Sequence, residues 1–368
     1  MEQKIITNYA DIDQWIKENG IQRLFLVCDN SIDFLKIKNY IEALQNRIRI
    51  TRFDKFQPNP LYESVVDGVR LFKDSHSDSI VAIGGGSAMD VAKCIKLYSN
   101  LPGDGKEGEW LKANQIPNSI PFLAMPTTAG TGSESTKYAV VYYDGAKQSV
   151  TSENCMPDTI LMDSSVLETL PMYQKKSTMC DALCHAIESF WSINSTDESK
   201  EYSKRAIELI IANMDGYIAN NKHANANMLT AANIAGKAIN ITQTTAGHAF
   251  CYKITSLFGC AHGHAAILCD RILFPWMINN LSKCIDNRGE EYLKKVLFEI
   301  GYAMGCQTPE QAAEKLNDIF EKMEFSIPEA SEKQYEELKR SVNPVRLKNH
   351  PITLSADDID DIYHEILR

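Results

Sequence analysis

The sequence lacks any run of about 18 consecutive apolar residues, so it offers no membrane-spanning helix. Its first twenty residues hold no basic stretch leading into an apolar one, and no secretory signal is expected. No Cys-x-x-Cys pair occurs among the ten scattered cysteines, and Cys28 and Cys94 sit in apolar stretches. Reduced thiols in a cytoplasm are the expectation. Positive charge is in deficit: 38 Lys and Arg face 48 Asp and Glu, a formal net charge of −10. Such a chain repels phosphate backbones, which argues against nucleic acid as a partner. A local basic pocket for a small anion remains open. The GxGxxG dinucleotide fingerprint is absent, and so are internal repeats and low-complexity tracts. What is present is a 368-residue chain with 44% hydrophobic residues, ample for a large core. At roughly 150 residues per domain, two domains are expected.

The first half alternates strand and helix patterns. Apolar runs at 23–28, 48–53, 79–83, 120–125 and 159–162 read as strands, with helical periodicity at 63–72 and 88–98 between them. Asp144–Gly145, flanked by strand-like segments 138–143 and 147–151, signals a hairpin. This alternation predicts a parallel sheet covered on both faces. After Leu170–Pro171 long helical periodicities dominate, at 175–191, 199–219, 227–241 and 289–304. The expected organisation is an α/β domain over 1–170 and an all-helical domain over 171–368.

Gly84–Gly85–Gly86–Ser87 stands between a predicted strand and a predicted helix. Residues without side chains let a phosphate approach the backbone, and a helix start offers free N–H groups. A tight turn without a ligand would read the same way. A second cluster, Pro126–Thr127–Thr128–Ala129–Gly130–Thr131–Gly132–Ser133–Glu134, follows the fourth strand. Two such loops at one sheet edge favour a nucleotide site. Asp29 ends the first strand. There it can accept from an adenosine ribose and repel a 2′-phosphate, favouring NAD(H) over NADP(H), or it can simply shape the turn.

Asp181 and His185 are spaced i, i+4 and share one helix face. Three further histidines follow: His248, His262 and His264. His248 and His262 are 14 residues apart, about 21 Å on one straight helix. Two ligands of one ion sit only about 3–4 Å apart. Both can serve one metal only if the chain turns back, and Phe258–Gly259 is a plausible break. One carboxylate and three imidazoles suit Fe(II), Zn(II), Mn(II) or Co(II).

Four anchors in order, GGGSAMDVAK (84–93), PTTAGTGSE (126–134), DALCHAIE (181–188) and the spaced His248 and His262, resemble the iron-containing (group III) alcohol dehydrogenases over nearly the whole chain. The resemblance implies a Rossmann-like N-terminal domain and a helical metal-binding domain. It implies Asp181, His185, His248 and His262 as ligands of Fe(II), with Zn(II) as the substitute. Gly85, Gly86 and Ser87, beside Gly84, would hold the pyrophosphate. Thr127, Thr128, Thr131 and Lys147 would line the rest of the cofactor site. The family's HAxxH motif reads His248–Ala249–Phe250–Cys251–Tyr252 here, so Tyr252 stands where a proton-relay histidine is usual. Tyr252 and His264 are the relay candidates.

The stretch 244–265 and the tail Ser341–Leu347 look like one branch, the phosphonoacetaldehyde reductases (2-hydroxyethylphosphonate dehydrogenases). For a doubly negative substrate, Lys253 and Arg346, with Lys348 nearby in sequence, are candidate contacts. The resemblance thus implies metal-dependent, NAD(P)H-linked reduction of a small aldehyde to a primary alcohol in a homodimer. A general short-chain alcohol dehydrogenase, a dehydroquinate-synthase-like lyase and a non-catalytic nucleotide-binding protein are the alternatives.

Overall fold

The computed structural model describes residues 3–368. Contacts divide the chain into two compact units: residues to Thr128 with Gly132–Leu170, and Ala129–Thr131 with Pro171–Arg368.

The first unit contains strands β1 (Lys4–Ile6), β2 (Arg23–Cys28), β3 (Arg49–Phe53), β4 (Ser79–Gly84), β5 (Phe122–Pro126), β6 (Tyr138–Tyr143), β7 (Ala146–Thr151) and β8 (Thr159–Leu161). Its helices are α1 (Ala10–Glu18), α2 (Ile37–Leu44), α3 (Tyr62–Asp74), α4 (Gly86–Tyr98) and the short α5 (Glu109–Lys112). Six strands form a parallel sheet in the order β1-β8-β5-β4-β2-β3. β4 and β5 are buried along their whole length, as strands covered on both faces must be. Phe25 of β2 packs on Phe53 of β3 and Phe72 of α3, at ring separations of 6.1 and 5.4 Å. β1, three residues long, carries no readable periodicity and gains its place by pairing with β8. β6 and β7 pair antiparallel as a two-stranded sheet, with Asp144 and Gly145 at positive φ in the turn.

From β2 the chain runs out to β3, then returns through α3 to β4 on the other side of β2. The strand order therefore switches between β2 and β4. Open α/β sheets bind ligands outside the carboxyl ends of the strands at such a switch.

The second unit holds α6 (Met172–Trp191), α7 (Asp197–Ile218), α8 (Lys222–Thr242), α9 (Ala246–Phe258), α10 (His262–Asn279), α11 (Glu290–Ala303), α12 (Pro309–Lys322), α13 (Glu332–Ser341), α14 (Pro344–Leu347) and α15 (Ala356–Ile366). α6 is buried without interruption from Met179 to Trp191, the pattern of a helix enclosed on every side. It packs against α7, α8 and α10. All ten cysteines are free. Among the described residues no helix is long and apolar enough to cross a membrane.

Candidate functional site

Asp29 and the glycine run meet at the switch between β2 and β4. Asp29 follows β2, and its Oδ1 accepts from the Ser31 N–H at 2.8 Å. Its Oδ2 lies 3.5 Å from where a Cβ would stand on Gly84. The turn-shaping role is thus filled by one oxygen, while the other faces the glycines. α4 begins at Gly86, two residues before the predicted start, so Ser87 lies in its first turn. Gly85 precedes it as the N-cap and has no side chain to cap the first N–H groups. A Cβ on Gly85 would meet only the Thr128 side chain, at 3.5 Å. No internal crowding demands glycine there, and the open backbone leaves room for a phosphate to approach. These residues fit a dinucleotide.

The second loop is tied down by Lys93, fully buried on α4. Its Nζ donates to the Ser133, Thr136 and Tyr138 carbonyls at 2.5, 2.7 and 2.7 Å, and to the Ser133 and Thr136 hydroxyls at 3.1 Å. Burial lowers its pKa, with Asp90 opposing. Burial pushes the Asp90 carboxyl up to about 6, against the pull of Lys93 and Lys147. Lys147, on β7, thereby stands near α4. Thr127 is buried beside β5, its N–H donating to the Gly84 carbonyl at 3.0 Å. Thr131 falls in the second unit.

In that unit Asp181 and His185 lie one turn apart on α6. His248 stands in the first turn of α9, and His262 opens α10. The chain does turn back between the last two: α9 stops at Phe258, and Gly259 takes φ +69°. Around Asp181 Oδ1 lie the Nε2 atoms of His248 at 3.5 Å, His185 at 3.8 Å and His262 at 3.9 Å. The donor atoms of Asp181, His248 and His262 all fall within 4.8 Å of one another. His185 stacks on His248 at 4.6 Å. Asp181 Oδ1 and His248 Nε2 are buried with no hydrogen-bond partner. Orphaned acceptors converging at the spacing of common ligands fit a divalent cation.

The charges of the cluster act on one another. Burial raises the Asp181 pKa, but His185, His248 and His262 outweigh it and hold the carboxyl below its usual range. Burial pushes His185 down to about 4, keeping it neutral. Burial opposes charge on His248, but Glu188 and Asp181 raise its pKa well above the usual value.

Glu188 went unassigned in the sequence reading. It is fully buried on α6 and accepts from the Thr245 N–H at 2.5 Å, the Thr245 hydroxyl at 2.7 Å, the His248 N–H at 3.1 Å and the His248 ring Nδ1. It caps α9 from outside and turns the His248 Nε2 toward Asp181. The signal was its i+3 spacing from His185, which puts it near the same face. Gly263 allows the close approach of α10: a Cβ there would fall 2.0 Å from the Ser177 carbonyl oxygen.

Of the two relay candidates, Tyr252 stands beside the cluster, its ring parallel to His262 at 5.7 Å and edge-on to His248 at 6.4 Å. His264 does not. Two residues beyond His262, it points to another face of α10, with Nδ1 on Tyr173 Oη and Nε2 on the Ser326 carbonyl. Lys253 pairs with Glu337 at 2.5 Å. Arg346 donates to Gln243 Oε1 at 2.7 Å, a neutral amide, and its helix α14 packs on α9.

Sequence models of the iron-containing alcohol dehydrogenases match residues 6–164, and of their C-terminal domain residues 175–367. The chain belongs to the iron-containing alcohol dehydrogenase family. It is an oxidoreductase of alcohols and aldehydes. Among its relatives, phosphonoacetaldehyde reductase of Streptomyces viridochromogenes is 31% identical over 68% of this chain and 66% of its own length. Lactaldehyde reductase of Escherichia coli is 27% identical, covering 85% of this chain and 80% of its own. Among solved structures, sulfoacetaldehyde reductase from Bifidobacterium kashiwanohense in complex with NAD+ superposes with a TM-score of 0.88 at 25% identity, covering 100% of this chain and 96% of its own. The Asp181 cluster of this alcohol dehydrogenase lies within the part matched by the C-terminal family model.

Proposed function

We propose that this alcohol dehydrogenase reduces phosphonoacetaldehyde to 2-hydroxyethylphosphonate, with NADH as hydride donor and Fe(II) as its metal. The observation that carries the chemistry is the convergence of three imidazole nitrogens on Asp181 Oδ1, with the orphaned atoms between them. When bound, the metal supplies Lewis-acid polarisation of the aldehyde oxygen, and NADH supplies the hydride. Asp181, His185, His248 and His262 hold the ion. Glu188 keeps the proton on His248 Nδ1, so that Nε2 serves as the ligand. Tyr252 Oη delivers the proton that completes the alcohol. Each turnover consumes one aldehyde, one NADH and one proton, and releases the alcohol and NAD+. Gly84, Gly85, Gly86 and Ser87 bind the pyrophosphate, with Thr127, Thr128, Thr131 and Lys147 around the remainder of the cofactor. Asp29 selects NADH by repelling a 2′-phosphate.

For the substrate, two relatives are named for two-carbon aldehydes that carry a tetrahedral anion, a phosphonate and a sulfonate. Arg346 supplies the matching charge, since its partner is a neutral amide. Lys253 is the second contact, once the anion displaces Glu337. By family likeness the working form is a homodimer in the cytoplasm, which light scattering and fractionation test.

The deciding experiment follows NADH oxidation by anaerobic, Fe(II)-loaded protein with phosphonoacetaldehyde, propionaldehyde and lactaldehyde at equal concentration. Preference for phosphonoacetaldehyde, with its KM raised selectively by Arg346→Ala, is expected. Equal or better turnover of the uncharged aldehydes overturns the substrate and leaves a general short-chain alcohol dehydrogenase. No NADH oxidation with any of them overturns the reaction in favour of a lyase.

A further inference from the structure

His262 is the first residue of α10, so its place depends on how the start of that helix is held as well as on contacts of its ring. The ring lies parallel to Tyr252 at 5.7 Å, and its Nδ1 is 3.7 Å from the Cys251 sulfur.

The first turn of a helix exposes N–H groups that its own carbonyls cannot satisfy. α10 is preceded by Ala261, whose side chain has no oxygen to cap them. Two α6 side chains take that part. The Ala261 N–H donates to Tyr173 Oη at 2.9 Å, and the His264 N–H donates to Ser177 Oγ at 3.1 Å. Tyr173 Oη in turn donates to His264 Nδ1 at 3.0 Å, which leaves His264 Nε2 to donate to the Ser326 carbonyl at 2.9 Å. Tyr173, Ser177, Asp181 and His185 recur every fourth residue along one face of α6. The face that offers two ligand candidates therefore also grips the helix that carries another.

We propose that Tyr173 and Ser177 are positioning residues for His262: they hold the start of α10 from α6 and so set where the His262 Nε2 arrives. This rests on the reading of Asp181, His185, His248 and His262 as metal ligands. Neither hydroxyl touches the ion or the substrate.

The test is Co(II) affinity, measured by competition with a chromophoric chelator, together with thermal melting of the metal-free protein. Tyr173→Phe keeps the ring against His264 and Phe325 and removes only the hydroxyl. It and Ser177→Ala are each expected to weaken Co(II) binding about tenfold. The metal-free Tm should drop only by the few degrees that one lost cap costs. In a His262→Ala background the same substitutions should change affinity by less than about twofold, because the ligand they position is gone. Unchanged affinity in both single variants overturns the proposal. An equal loss in the His262→Ala background also overturns it, marking a general structural role. If wild type and His262→Ala bind Co(II) alike, the ligand reading itself fails and takes this proposal with it.

Discussion

Gly263→Ala is the sharpest perturbation the geometry offers. A Cβ on Gly263 falls 2.0 Å from the Ser177 carbonyl oxygen and 2.7 Å from the Asp181 Cβ. Real Cβ atoms essentially never come nearer than 3.0 Å. Both obstructing atoms belong to α6 at or next to its backbone, so neither swings aside. The first turn of α10 must then lift by about 1 Å, because a close-packed interior has no slack to absorb the atom. His262 precedes Gly263 and Asp181 is one of the residues struck, so the shift directly enters the spacing of the proposed ligands. A misplacement of about 1 Å costs on the order of 100-fold in rate. Overpacking adds about 1–3 kcal/mol of instability. The assay is Co(II) affinity, NADH-linked aldehyde reduction and Tm, beside Gly289→Ala as control. Gly289 has φ +91° and ψ 169° with open space around its Cβ position, so alanine there costs backbone strain of about 1–3 kcal/mol away from the Asp181 cluster. If Gly263→Ala kept affinity and turnover within about twofold of wild type, the argument from close approach would be refuted.

Three further outcomes follow from buried groups. Glu188→Gln replaces an acceptor of four hydrogen bonds with a group that donates from one arm; metal affinity should fall about 10–100-fold, and unchanged chelator competition would count against the role of Glu188. Lys93→Met strands the Ser133, Thr136 and Tyr138 carbonyls, so a loss of about 3–5 kcal/mol in urea unfolding and a higher KM for NADH are expected, with neither change meaning that the loop holds itself. His350 is fully buried and its pKa is pushed down to about 4 by burial, against the pull of Glu188. The unfolded chain binds that proton more readily, so stability should be full above about pH 6.5 and fall as the pH drops toward 4, by up to about 3 kcal/mol. His350→Phe should flatten that slope in urea melts between pH 7 and 4.5, and an unaltered slope would assign it elsewhere.

The sheet was legible because its central strands are buried on both faces and read as apolar runs, 79–83 being the plainest. The hairpin was legible because Asp144–Gly145 leaves few other backbone choices. The turn at Phe258–Gly259 came from distance: two ligands of one ion cannot stand 14 residues apart on a straight helix. The start of α4 was misjudged because glycine reads as a helix breaker, yet at a helix start it forgoes little. The spacing of Glu188 from His185 marks its face, but the capping roles of Glu188 and Tyr173 were out of reach for a different reason. Their partners lie 57 and 88 residues away, and nothing local in the sequence states that two later helices lack caps of their own. His264 shows the converse: its residue type suggests the cluster, but its spacing from His262 turns it away.

The exposure of the ligand set bears on the rates of metal exchange. The Asp181 and His248 side chains are 3% and 2% exposed, whereas His262 is 36% exposed. Solvent therefore meets the centre at His262. With the four residues as proposed metal ligands, an ion would exchange with solvent past this imidazole, and a small chelator would reach the centre beside that one ring.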